Sequence, residues 1–252
     1  MASGVSLRSV LLPRDHGSWS FVLEPVALGL IAGPSVQGAA IGLGGLALFL
    51  MRRPLQIVRV ADGRRRRARQ LVAVLAVMAL AALAFGLSFG RGPAWMALSA
   101  ALPFAAAFQW FDSQKAAREV AAELCGACAF AAFAAAIVLA AGRPAAAGAM
   151  LSAFAAARAI AAIMPIRTYL RRRKGQAVVR WPSIVAPIVG LAAFAGLGDV
   201  TGQWWPVAWM AAFSLRAVWM LGPWAPEWTA TRVGAIEALI GAAAVLSVGM
   251  SA

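Results

Sequence analysis

The sequence predicts an all-α polytopic membrane protein, a bundle of about nine transmembrane helices around a cytoplasm-facing cavity, and three observations carry the helical membrane part of that prediction. Of the 252 residues, 62% are apolar, and the mean hydropathy is +0.79. The apolar residues gather into stretches of about 20, the length that crosses a hydrocarbon core, where a soluble chain would show amphipathic stripes. The formal charge is +14, yet the arginines fall in short segments between the apolar stretches. That pattern sets topology and contacts anionic lipid, and it argues against nucleic acid as a partner.

Spans are expected at 19–35, 37–51, 70–89, 93–111, 119–140, 145–165, 181–198, 203–221 and 233–250. The opening "MASGVSLRSVLLPRDHG" lacks the apolar core and small-residue cleavage site of a signal peptide, so the first span is expected to be retained. That span carries Glu24 followed by Pro25, a residue that removes a backbone hydrogen bond and allows a kink. The second contains "GAAIG", a small-xxx-small spacing suited to close helix packing, and extends through "RRPLQIVRV". "SFGRGPA" separates the third from the fourth. The fifth contains "ELCGACAF", whose Cys125 and Cys128 read as small packing residues in an Ala-rich span rather than as a redox pair. The sixth ends in "IMPIRTYLRRR", Arg180 precedes the seventh, "GLGDVTGQ" separates the seventh from the eighth, and Arg232 precedes the ninth. No long polar linker interrupts the chain, so residues 1–252 read as one domain.

The loops alternate in charge. Arg8 and Arg14, the run from Arg52 to Arg69, Lys115 and Arg118, the run from Arg167 to Arg180, and Arg232 form one set; the other holds only Arg91 and Arg143. Arginine excess marks the cytoplasmic side, so the amino terminus is expected inside and the carboxyl terminus outside. Abundant Arg and Ala beside scarce Lys suggest a GC-rich bacterial genome, hence the bacterial cytoplasmic (inner) membrane. The two arginine-rich segments after the second and sixth spans form a weak internal echo, compatible with a two-fold repeat.

Charged side chains inside spans face a bundle interior or a wet cavity. Glu24, Glu119, Glu123, Arg158, Arg216 and Glu237 all fall in the cytoplasmic halves of their spans, which predicts one polar cavity open to the cytoplasm. Glu119 and Glu123 share a helix face and are expected to pair with Arg158 or Arg216. Arg14, Arg52, Arg53, Arg158, Arg167 and Arg171, with Tyr169 between the last two, form the candidate anion-binding set, since guanidinium binds phosphate in a fork that Lys cannot match. "RRRR" at 64–67 reads as a topology signal. His16, Asp15, Glu24 and Glu123 are the candidate proton-handling or catalytic residues. On a continuous helix His16 and Glu24 stand about 12 Å apart, too far to share a metal, and Asp15 suits a helix cap. No metal site is expected, and no cofactor can be named.

"LPRDHGSWSFVLEPVALGL" resembles the "P-[KR]-[ED]-H-G-[AS]-W" opening of the YwiC-like family of bacterial membrane proteins, and "RRPLQI", "AAELCGACAF" and "IRTYLRRR" are similar to later parts of it. The resemblance implies an integral membrane protein and no particular reaction. A more distant similarity is to the UbiA prenyltransferases, whose nine spans and cytoplasmic cavity imply the same layout. Those enzymes hold magnesium and a prenyl diphosphate on two Asp-rich motifs. Here Asp15, Asp62, Asp112 and Asp199 are too scattered to form either.

The expected function is binding of an anionic amphiphile, such as an isoprenoid diphosphate or a phospholipid, in the cavity. Prenyl or other lipid-modifying transfer and proton-coupled transport are the alternatives, so the choice between enzyme and carrier stays open at this point. Membrane lipids and an isoprenoid or quinone-like ligand are the expected partners.

Overall fold

The computed structural model describes residues 7–12, 19–59 and 63–252. Among the described residues the regular structure is helical throughout: α1 (Leu7–Leu11), α2 (Ser20–Ala32), α3 (Val36–Arg59), α4 (Arg65–Ser88), α5 (Ala94–Ser113), α6 (Val120–Ala140), α7 (Ala145–Arg173), α8 (Trp181–Thr201), α9 (Trp205–Leu221) and α10 (Ala230–Ser251). A helix stands at each of the nine expected places, from α2 to α10. Seven of them, α3 to α8 and α10, are long and apolar enough to cross a membrane. With 13 and 17 residues, α2 and α9 fall short of the ~20 that a full crossing takes. The chain is a multi-pass membrane protein.

Two helices overrun the expected boundaries at their arginine-rich ends. α4 begins at Arg65 rather than near residue 70 and α7 runs on to Arg173, while α3 continues through "RRPLQIVR", the extension expected of the second span. Arginine is a good helix former, so polarity ends the apolar span without ending the helix. At the end of α7, Arg171, Arg172 and Arg173 also sit where the helix dipole favours cations. The two segments of the internal echo thus share a form: each is the basic end of a long helix with a proline inside it, Pro54 in α3 and Pro165 in α7.

α6 is the central helix. From Ala131 to Ala140 every residue is buried, so it is covered on all sides, packing against α2, α3, α5 and α7. Alanine allows this, because neighbouring backbones approach closely over a methyl group. Gly29 on α2 shows the same economy: an added Cβ would lie 2.9 Å from the Ile137 Cβ. On the other flank α7, α8 and α9 pack together, and α10 closes the bundle against α2, α7 and α9. Val77 and Leu80 of α4 and Trp95 and Phe104 of α5 stay exposed, as lipid-facing residues do.

The helices alternate in direction between two chemically different ends. At one end the Arg91 N–H donates to the Ala140 carbonyl at 2.9 Å, and Arg143 donates to the carbonyl of Ala252. At the other end lie the basic termini of α3, α4 and α7, with Arg180 before α8 and Arg232 in the first turn of α10.

Candidate functional site

A hollow of about 1230 Å³ opens among α2, α3, α5, α6, α7 and α10. Its wall is mostly apolar: Leu48, Phe49 and Leu55 from α3, Leu98, Leu102 and Phe108 from α5, Phe130 and Phe133 from α6, and Ile163 and Ile166 from α7. Charge enters at two depths.

The shallow tier lies at the arginine-rich end. Arg52, Gln109, Arg118, Glu123 and Arg167 line the hollow there. Arg167 donates from Nη1 to the Glu123 Oε1 at 2.8 Å, joining α7 to α6. Arg52 lies over the Phe108 ring, 4.8 Å from its centroid, and its Nε is 3.8 Å from Asp112 Oδ1. Asp112, near the end of α5, also accepts from Gln56 Nε2 at 2.9 Å and from Arg59 Nη1 at 3.1 Å. Its side chain is only 5% exposed, so two donors, Gln56 and Arg59, and the nearby Arg52 guanidinium converge from one face of α3 on one buried carboxylate. Ionised, it is an acceptor only, and these partners offset the cost of its burial.

The deep tier is a quartet. Arg158 pairs with Glu24 Oε1 at 3.2 Å and with Glu237 Oε1 at 2.7 Å. Its Nη2 also donates to the Glu237 carbonyl at 3.2 Å. The second Glu237 oxygen pairs with Arg216, which donates from Nη2 to the Ala161 carbonyl at 2.7 Å. Two glutamates and two arginines therefore balance to zero where α2, α7, α9 and α10 meet. Phe213 lies beneath both arginines, its ring centroid 5.0 Å from the Arg158 guanidinium carbon. Gly241 of α10 makes room for the quartet, since a Cβ there would stand 2.6 Å from Arg158 Nη2.

The pairing differs from the one expected. Glu119 is the exposed N-cap position of α6, and Glu123 meets Arg167 rather than Arg158 or Arg216. The reason is depth: Arg158 lies nine residues before Arg167, about 13 Å further along the helix at 1.5 Å per residue. Glu24 of α2 and Glu237 of α10 stand at that depth and reach it.

Of the other expected site residues, Arg53 is half-buried and outside the hollow's lining, and Arg171 is exposed at the end of α7. Tyr169 also lies outside the hollow. It is 1% exposed, accepts from the Trp228 N–H at 2.9 Å and donates to the Pro226 carbonyl, tying α7 to the segment before α10. Arg14, Asp15 and His16 lie outside the described residues.

Asp112 and Gln56 were not among the expected site residues. Their signal is present in the sequence: Arg52, Gln56 and Arg59 recur at helical spacing, as do Gln109 and Asp112, which aligns two polar stripes.

The model of the family described as YwiC-like protein matches residues 12–138, just over half of the chain. The matched stretch contains the "PRDHGSW" opening, "RRPLQI" and "AAELCGACAF", while "IRTYLRRR" lies beyond it. No curated protein and no solved structure matches the chain.

Proposed function

The chain belongs to the YwiC-like family, and we propose that it binds, in its hollow, an amphiphile with an anionic head, of the class of isoprenoid diphosphates and phospholipids. The observation that carries this reading is the hollow itself: an apolar wall long enough for a hydrocarbon tail, with Arg52, Arg118 and Arg167 at one end. Apolar lining with a few convergent polar groups is the usual form of a small-molecule site, and arginine is the residue best shaped for phosphate oxygens.

On this reading the arginine-rich end faces the cytoplasm of a bacterial cell, the carboxyl terminus lies outside, and the membrane is the cytoplasmic one. Glu24, Arg158 and Glu237 of the quartet line the inner wall beside the tail, with Arg216 behind them, and Glu24 is the most exposed of the four.

The test is to purify the protein in a mild detergent and identify the retained lipids by mass spectrometry, with Arg52→Ala/Arg167→Ala and the opposite-end control Arg91→Ala alongside. The wild type and the control are expected to retain one class of anionic amphiphile that the double variant loses. Retention of neutral lipid alone, or equal retention by all three proteins, overturns the reading.

A further inference from the structure

Resting on the reading that the hollow takes an anionic amphiphile, we infer that Glu123 is a built-in competitor for the head-group position: Arg167 is the seat of the anion, and the Glu123 carboxylate holds that seat until a phosphate-class head displaces it. The inference comes from a contrast between the two tiers.

Arg158 is locked. Its side chain is 4% exposed and is held by two carboxylates and a backbone carbonyl. Arg167 lies in the more accessible tier, with 25% of its side chain exposed beside 29% for Glu123. It meets one carboxylate, Glu123, through Nη1, whereas Arg158 meets two. A guanidinium engaged through one nitrogen on a partly exposed side chain keeps donors for the oxygens of a phosphate.

Glu123 also has support of its own away from Arg167: it lies in the first turn of α6, where the helix dipole favours a carboxylate. Neither Glu24 nor Glu237 has that support, because neither lies in the first turn of its helix. A phosphomonoester or diphosphate head, such as that of phosphatidate or an isoprenoid diphosphate, carries more than one negative charge and three terminal acceptor oxygens, so it displaces a single carboxylate from the same cation. Arg118 lines the hollow beside this position, and the positive surroundings favour the exchange.

The experiment compares the full chain in detergent as wild type, Glu123→Gln, Glu123→Ala and Arg167→Gln, each first shown to be monodisperse by size exclusion. Binding of inorganic diphosphate and of phosphatidate in mixed micelles is measured separately for each protein. Removing a partly exposed competitor is expected to tighten binding by about threefold to fivefold in both Glu123 variants. Loss of Arg167 is expected to weaken binding by about tenfold or more.

If the wild type binds and the Glu123 variants bind equally or more weakly, the competitor inference is overturned while the amphiphile reading stands. Binding of free diphosphate with no preference for phosphatidate overturns the amphiphile reading and leaves the exchange at Arg167 supported. If no variant binds either probe, the reading of the hollow falls and the competitor inference falls with it.

Discussion

Replacing Arg158 by leucine removes one of two cations from a quartet that balances to zero. Glu24 then loses its partner at 3.2 Å, and Glu237 keeps Arg216 but loses its contact at 2.7 Å. Breaking a buried pair from one side costs about 3–5 kcal/mol, and the lower figure of ~3 applies because the Glu24 side chain keeps 18% exposure. The informative comparison is the double variant Glu24→Leu/Arg158→Leu. It returns the site to zero net charge, with Glu237 still paired to Arg216, and replaces the pair with apolar bulk of the kind that is often neutral or stabilising. The Arg158 variant and the Glu24→Leu variant should each be destabilised, and the double variant should be more stable than the sum of the two effects implies by ~1 kcal/mol or more. Equilibrium unfolding in detergent, followed by the fluorescence of the ten tryptophans, measures this cycle. Strict additivity would refute the claim that charge balance, rather than packing alone, holds α2 to α7.

Gly241→Ala should push Glu24 and Arg158 apart and cost about 1–3 kcal/mol, as overpacking does. Gly234→Ala, whose added Cβ meets nothing within 4 Å, should be neutral or slightly stabilising in the same unfolding assay. Asp112→Ala strands Gln56, Arg52 and Arg59, and is expected to lower stability by about 2 kcal/mol. Removing the Glu227 carboxylate, 86% exposed beside Arg173, should change stability by less than ~0.5 kcal/mol. Tyr169→Phe should cost about 1 kcal/mol through its lost hydrogen bonds while leaving lipid retention unchanged, as measured by mass spectrometry of the purified protein.

The helices were legible in the sequence because apolar length is a local signal, and all nine places follow from it. The run of α3 through its basic residues was legible too, but the basic ends of α4 and α7 were not, since arginine stops an apolar run but continues a helix. The members of the buried network were also legible, because Glu24, Arg158, Arg216 and Glu237 are charges that a membrane interior tolerates only with partners. Which acid meets which arginine depends on the relative depth of four helices, and spacing within one helix carries no information about that. Asp112 shows the opposite failure. It stands apart from other aspartates, so a search for paired acids passes over it, while the stripe of Arg52, Gln56 and Arg59 that binds it lies in plain view on α3.

The most direct test of the central claim is photolabelling in membranes with a phosphatidate whose tail carries a diazirine, followed by mapping of the labelled peptides. The account predicts labelling of the hollow's wall, at residues such as Leu98 and Phe108 on α5 and Phe130 and Phe133 on α6. Labelling there should be competed by excess unlabelled phosphatidate and lost in Arg52→Ala/Arg167→Ala. Labelling confined to outward-facing residues such as Val77 and Leu80, with no competition and no effect of the arginine variant, would contradict it.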